Sequence, residues 1–156
     1  MAPTSPSKPS NKLTGELAAL LPHLQLDAQG TAVLQGCSDV VDALARLEKA
    51  GLLIEATRLV AHALPAREVV WWACACSRHT ASSGENPPLE AKAREAAEAW
   101  VRRQSEEHRR AAMKEAEAAG YGSAEAWAAV AAFWSGGSMA PPEAPSVPGL
   151  ARRRRR

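Results

Sequence analysis

Five side chains have the types that a metal ion or a nucleophilic thiol would use: Cys37, His62, Cys74, Cys76 and His79. Zinc is usually gripped by close pairs such as C-x2–4-C, with a second pair elsewhere. Cys74 and Cys76 lie two apart on a stretch that reads as helix. Residues i and i+2 of a helix point roughly 200° apart, so these two thiols cannot hold one ion while the helix is intact. Cys76 and His79 share a face, and Cys37 or His62 could complete a site. Cys76 with His79 or His62 is also the pairing that a thiolate nucleophile needs. It would require an exposed thiol of low pKa and an oxyanion site, and no motif signals either. The simpler reading is that Cys74 and Cys76 are small helix-packing residues. The sequence contains no GxSxG, Walker A, GxGxxG or HExxH segment. The carboxylates of Leu89 to Ala119 alternate with arginines and look like a solvated face. No catalytic residue, cofactor or metal site is therefore assigned, and the expected function is non-enzymatic.

The elements that would carry these residues read as helices. Pro65 ends one apolar segment and opens another bearing adjacent tryptophans, Trp71 and Trp72. A proline turn between two apolar helical segments is how an all-helical packing unit is built. Ser38, with Asp39 behind it, is placed to cap a helix carrying Val40, Val41, Leu44 and Leu47 at helical spacing. Gly51 stops that helix, and Leu52 to Leu64 forms the next, inner side Leu52, Ala56, Leu59, Val60 and Ala63. Pro65 begins a third helix running to about His79. Pro87 and Pro88 open a long charged segment with i,i+4 pairs Glu90–Arg94, Glu98–Arg102 and Glu106–Arg110. Its buried stripe is Leu89, Ala93, Ala96 and Trp100, and Ser105 can divide it in two. Ser123 caps a last helix with Trp127, Val130, Ala131 and Trp134 inward. The fold class is all-α, a compact bundle of five to seven helices built from helical hairpins. Residues 1–12 read as a disordered N-terminal segment and 13–135 as the helical domain. Residues 136–156 form an extended Pro/Gly-rich tail ending in poly-Arg.

Composition narrows the function further. The chain has 156 residues and a formal charge of +2, yet Arg152–Arg156 supply five of its positive charges. Without them 14 basic residues face 17 acidic ones, so the body is mildly acidic. That is not a nucleic-acid footprint. Binding of phosphate or an anionic surface by the Arg152–Arg156 tail is the alternative function, and a Cys/His metal or thiol protein a second one. Three cysteines make no disulfide framework and suit a reduced, cytoplasmic setting. No signal peptide or membrane-inserting segment is expected.

What remains is binding. Neighbouring helix residues point about 100° apart, so Trp71 and Trp72 cannot both face a core. Val69, Trp72, Ala73 and Cys76 are expected inside, with Trp72, Trp100 and Trp127 largely buried and Trp71 more exposed. After Trp134 an apolar, proline-bearing extension follows. It is either a strap folded onto its own helices or a stiff segment for a partner. Trp71, Trp134, Ser138, Met139, Pro141 and Pro142 are the expected partner-binding residues.

Two segments, LVAHALPAREVVWWACACSRH and WAAVAAFWSGGSMAPPEAPSVPG, carry a resemblance across roughly Leu13 to Gly149. They resemble an uncharacterised family of small helical bacterial proteins, a domain of unknown function with HALP-x-RE-x-VWW and FWSGGS-x-APP segments. Its members are encoded near type VI secretion spike and PAAR-type genes. The family offers no catalytic residues to transfer. Its members usually continue past the APP segment with Pro-rich and apolar residues, where this chain has ARRRRR. The resemblance implies an adaptor, chaperone or scaffold whose partner is a protein such as a secretion spike, PAAR-type or effector component.

Overall fold

Side-chain caps set the helix starts in the computed structural model, which describes residues 12–80, 87–141 and 143–147. The Asp39 carboxylate accepts from the amides of Val41 and Asp42 and starts α3, Val40–Lys49. The cap is thus Asp39, one residue past the expected Ser38. Ser105 accepts from the His108 amide and starts α7, Glu106–Ala118. Ser123 accepts from the Ala126 amide and starts α8, Ala124–Trp134. Before these come α1, Leu17–Leu20, a 3-10 turn, Leu21–His23, and α2, Ala28–Val33. Between them lie α4, Leu53–Ala63, α5, Ala66–His79, and α6, Pro87–Arg102. The fold is all-α: the described residues hold eight α-helices and no strand. Eight is one more than the expected five to seven, and α1 and α2 are the shortest of the eight. Ser105 does divide the long charged segment.

The helical region consists of two compact units, Met1–Pro65 and Ala66–Arg156. In the first, α3 and α4 pack together across Gly51, whose φ of 73° is the left-handed conformation that glycine adopts freely. Leu17, Leu24, Leu34, Leu47 and Leu59 fill its interior. Thr14 ties the incoming chain to the end of α4, its amide and hydroxyl both donating to the Ala63 carbonyl at 2.7 and 3.0 Å. Arg58 donates to the Leu24 carbonyl at 3.1 Å.

In the second unit α5, α6, α7 and α8 pack on one another. Alanine dominates the interior: Ala93, Ala97, Ala112, Ala116, Ala128, Ala129 and Ala132 surround Val70, Cys74, Trp100 and Val130. The inner line of α5 is Val70, Cys74 and Ser77, rotated from the expected Val69, Trp72, Ala73 and Cys76. Trp72 is half-buried and Cys76 exposed. On α6 the buried line is Glu90, Ala93, Ala97, Trp100 and Val101. The charged face is also less solvated than expected. Glu90, Arg109 and Glu125 are buried, and Arg94 lies 3.5 Å from Glu98 and 3.9 Å from Glu125.

Candidate functional site

The thiols come first, because their environments decide the chemistry. Cys74 is buried, and burial pushes its thiol up to about 11, with the Glu98 carboxylate adding to the rise. A thiol so disposed is protonated at neutral pH and a poor nucleophile. Cys76 lies on the other side of α5, exposed, as two residues' spacing on a helix requires. Cys37 donates to Asp42 at 3.2 Å and to the Asp39 carbonyl at 3.4 Å. Partial burial and the bond to Asp42 raise its pKa. His62 stacks on His23, ring centroids 4.9 Å apart. Among the described residues, no group of three or more His, Cys, Asp or Glu side chains is placed to hold a metal ion.

The tryptophans divide differently from expectation. Trp100 is buried, and Trp71 is 58% exposed on α5, as expected. Trp127, expected inside, is instead 53% exposed. Sterics explain the reversal. Alpha-8 packs against three helices through Ala126, Ala128, Ala129, Val130, Ala132 and Phe133. Alanines let backbones approach closely, and an indole between such helices would force them apart. Trp127 and Trp134, seven residues apart, are therefore turned out along one line of the helix.

These two rings touch and are joined by a third. Trp127 and Trp134 meet edge to face at 6.4 Å, and Tyr121 leans on Trp127 at 6.4 Å. Trp134 and Tyr121 are 39% and 38% exposed. Tyr121 sits at φ 59°, a left-handed backbone that costs a non-glycine residue about 1–2 kcal/mol. That conformation lies in the turn between α7 and α8, where the Tyr121 ring meets the Trp127 indole. The result is a solvent-facing ladder, Tyr121–Trp127–Trp134. Tyr121 was missed in the sequence, where a lone tyrosine between glycines carries no period. Trp127 was visible but assigned to the wrong face.

The segment after Trp134 is a strap on its own unit. Arg109, buried beneath it, donates to the Phe133 carbonyl at 2.6 Å and to the Ser138 carbonyl at 2.6 Å. Its guanidinium also forms a two-bond pair with Glu106 at 2.7 Å and lies 4.4 Å from the centroid of the Phe133 ring. Hydrogen bonding to Arg109 holds the Glu106 carboxyl below its ordinary range. Arg110 donates to the Ala140 carbonyl at 2.9 Å. Gly137 passes directly over this fork at φ 66°; a Cβ there would stand 2.7 Å from Glu106 and 2.8 Å from Arg109. The second glycine of the SGGS segment, Gly137, is thus placed against the arginine.

Of the expected partner-binding residues, Trp71, Trp134 and Pro141 are exposed. Ser138 and Met139 are half-buried and spend polar groups on the strap itself. The Ser138 hydroxyl accepts from the amides of Ala140 and Val147, and the Met139 amide donates to Val147. Pro142 lies outside the described residues, as do Arg152–Arg156 and residues 1–11. No helix of the described residues is long and apolar enough to cross a membrane.

No curated protein and no solved structure matches the chain. Residues 43–154, which include α4 and all four helices of the second unit, match the family of unknown function DUF6931, and the chain belongs to that family.

Proposed function

We propose that the protein is a non-enzymatic binding module, an adaptor, chaperone or scaffold that docks on another protein through exposed aromatic rings of its second unit. The observation that carries this reading is the ladder Tyr121–Trp127–Trp134, with Trp71 as a further exposed indole. Tryptophan and tyrosine are the side chains most enriched in binding hot spots. They offer large area at low entropic cost. Rings that already lean on one another are ordered before a partner arrives, so little freedom is lost on docking. The raised pKa of the buried Cys74 thiol argues against thiol catalysis there. The strap contributes by ordering the Trp134 end of the ladder. The resemblance supplies the class of partner: a component or cargo of a bacterial type VI secretion spike, met in the cytoplasm.

A pull-down from the native host tests this, with wild type beside Trp71→Ala and a Trp127→Ala/Trp134→Ala pair. Exposed truncation should cost about 1 kcal/mol of stability or less, so circular dichroism melts should remain close to wild type. The expected outcome is recovery of secretion proteins by wild type and their loss with the ladder variant. Equal recovery by all forms would remove the aromatic surface. Recovery of no secretion protein by wild type would remove the adaptor reading.

A further inference from the structure

We infer that His23 and His62 form a two-imidazole site for a late first-row divalent transition ion of the zinc class, with water completing its coordination. The two residues come from separate elements of the first unit, His23 from the 3-10 turn Leu21–His23 and His62 from α4. Their ring centroids are 4.9 Å apart and their planes 27° apart. Among the described residues no third His, Cys, Asp or Glu side chain joins them, so the protein supplies two donors and not three.

The backbone beneath each ring is fixed. His23 precedes Leu24 and His62 precedes Ala63, and both Leu24 and Ala63 are fully buried in one core. Arg58, one turn before His62, donates to the Leu24 carbonyl at 3.1 Å. Thr14 donates through its amide and hydroxyl to the Ala63 carbonyl. The chain is thus cross-linked at the residue next to each histidine. Ligands placed beforehand give up little freedom when an ion binds.

The separation of the rings suits one shared ion. A ligating nitrogen stands about 2.0–2.1 Å from zinc and the imidazole centroid about 3.2 Å, so two rings on one ion have centroids about 4.5 Å apart at a right angle and about 5.2 Å apart at a tetrahedral one. The observed 4.9 Å falls inside that interval. Rotation about χ2 turns an imidazole about an axis close to its own centroid, so it aims a nitrogen at the ion and leaves that separation unchanged. The χ2 well of histidine is broad, and both side chains are exposed, so the rings can turn and the ion can reach them.

The chemistry selects the ion. Imidazole suits zinc, copper and nickel, whereas magnesium and calcium take oxygen ligands. A histidine ligates as the neutral ring. Partial burial, followed by the charge of His23, lowers the pKa of His62 from 6.5, so this ring is neutral at pH 7. The site lies in the first unit and owes nothing to the aromatic ladder.

The test titrates Zn2+ alone into the full chain at pH 7 and follows the ring resonances of its four histidines by NMR. His23 and His62 should move together and saturate at one ion per chain, and Mg2+ should move neither. Loss of even an outer-shell partner costs about 10–100-fold in metal affinity, so His23→Gln and His62→Gln should each weaken Zn2+ by about tenfold or more. Both rings are exposed, so circular dichroism melts of the two variants without metal should stay close to wild type. Movement confined to His79 or His108, or unchanged affinity in both variants, would overturn the site. Sedimentation should show no change of mass on adding Zn2+; a zinc-dependent dimer would mean that one ion is held between two copies, and would overturn the site within one chain. Failure of this test leaves the pull-down result standing, since that experiment does not involve the histidines.

Discussion

In Met1–Pro65 the buried core is mostly leucine, Leu17, Leu24, Leu34, Leu47 and Leu59 beside Val40, Ala43, Ala56 and Ala63, carried largely on helices of four to eleven residues. In Ala66–Arg156 it is mostly alanine, carried on helices of eleven to sixteen residues. Short helices present few positions, so each must reach far to meet its neighbours, and leucine does. Long helices repeat their inner line many times and can close to alanine distance, gaining area from the backbones themselves. The consequence for large residues is opposite in the two units. A leucine interior accommodates bulk; an alanine interior expels it. Of the second unit's tryptophans only Trp100 is buried, while Trp71, Trp127 and Trp134 face solvent; the smaller Phe133 ring is also accepted. The aromatic surface that supports a binding role is in this sense a by-product of alanine packing.

The largest expected effect breaks the leucine side. Leu59 is fully buried on α4, and Leu59→Ala removes a side chain whose neighbours sit on short elements. Urea unfolding should show a loss of about 2–5 kcal/mol. Amide exchange should place the loss in residues 17–63 rather than in α6, α7 or α8. Equal loss of protection in both regions would mean that the two units do not differ in the way their cores suggest.

The alanine side is tested by addition. Ala129 is fully buried on α8, among helices at close approach. Ala129→Leu should cost about 1–3 kcal/mol by overpacking. A neutral result would show spare room at α8 and would remove the steric reason given for the outward turn of Trp127.

Much of this was legible locally. Ser105 and Ser123 mark their helix starts because a cap acts within one turn, and the division at Ser105 follows from it. Pro65 and Gly51 mark boundaries for equally local reasons. The face of α8 was not legible, because AEAWAAVAAFW is apolar almost all round and has no polar side to orient it. The inner line of α5 slipped because both Val69 and Val70, and both Trp71 and Trp72, offer an apolar start. The strap was foreseen only as one of two outcomes. Its anchor is Arg109, twenty-four residues before Phe133 and twenty-nine before Ser138, and no spacing rule connects them. Tyr121 in the ladder depends on a left-handed backbone that no composition argument singles out.

The smallest expected effect separates the units by pH. In the first, His62 stacks on His23, and burial, followed by the charge of His23, lowers its pKa from 6.5. In the second, hydrogen bonding to Arg109 lowers Glu106 from the usual carboxylate value. The two shifts act in different windows. A histidine whose folded pKa is depressed takes up its proton more readily in the unfolded chain, so stability is full above about 6.5 and falls as pH drops from there towards the folded value. A depressed glutamate contributes stability that is present above its unfolded value, about 4.3, and is lost only as pH falls through the folded one. Asp42, lowered by Arg46, acts in this second window too, although it lies in the first unit. Between pH 6.5 and 5 the first unit should therefore loosen while the arginine–strap junction of the second holds. Amide exchange followed over that range, corrected for the intrinsic pH dependence of exchange, should show protection falling in α4 and its neighbours and staying level across α7 and α8. His62→Gln should flatten the change in the first unit. A slope that survives His62→Gln, or that appears equally in α7 and α8, would remove the histidine pair as the cause and with it this distinction between the two units.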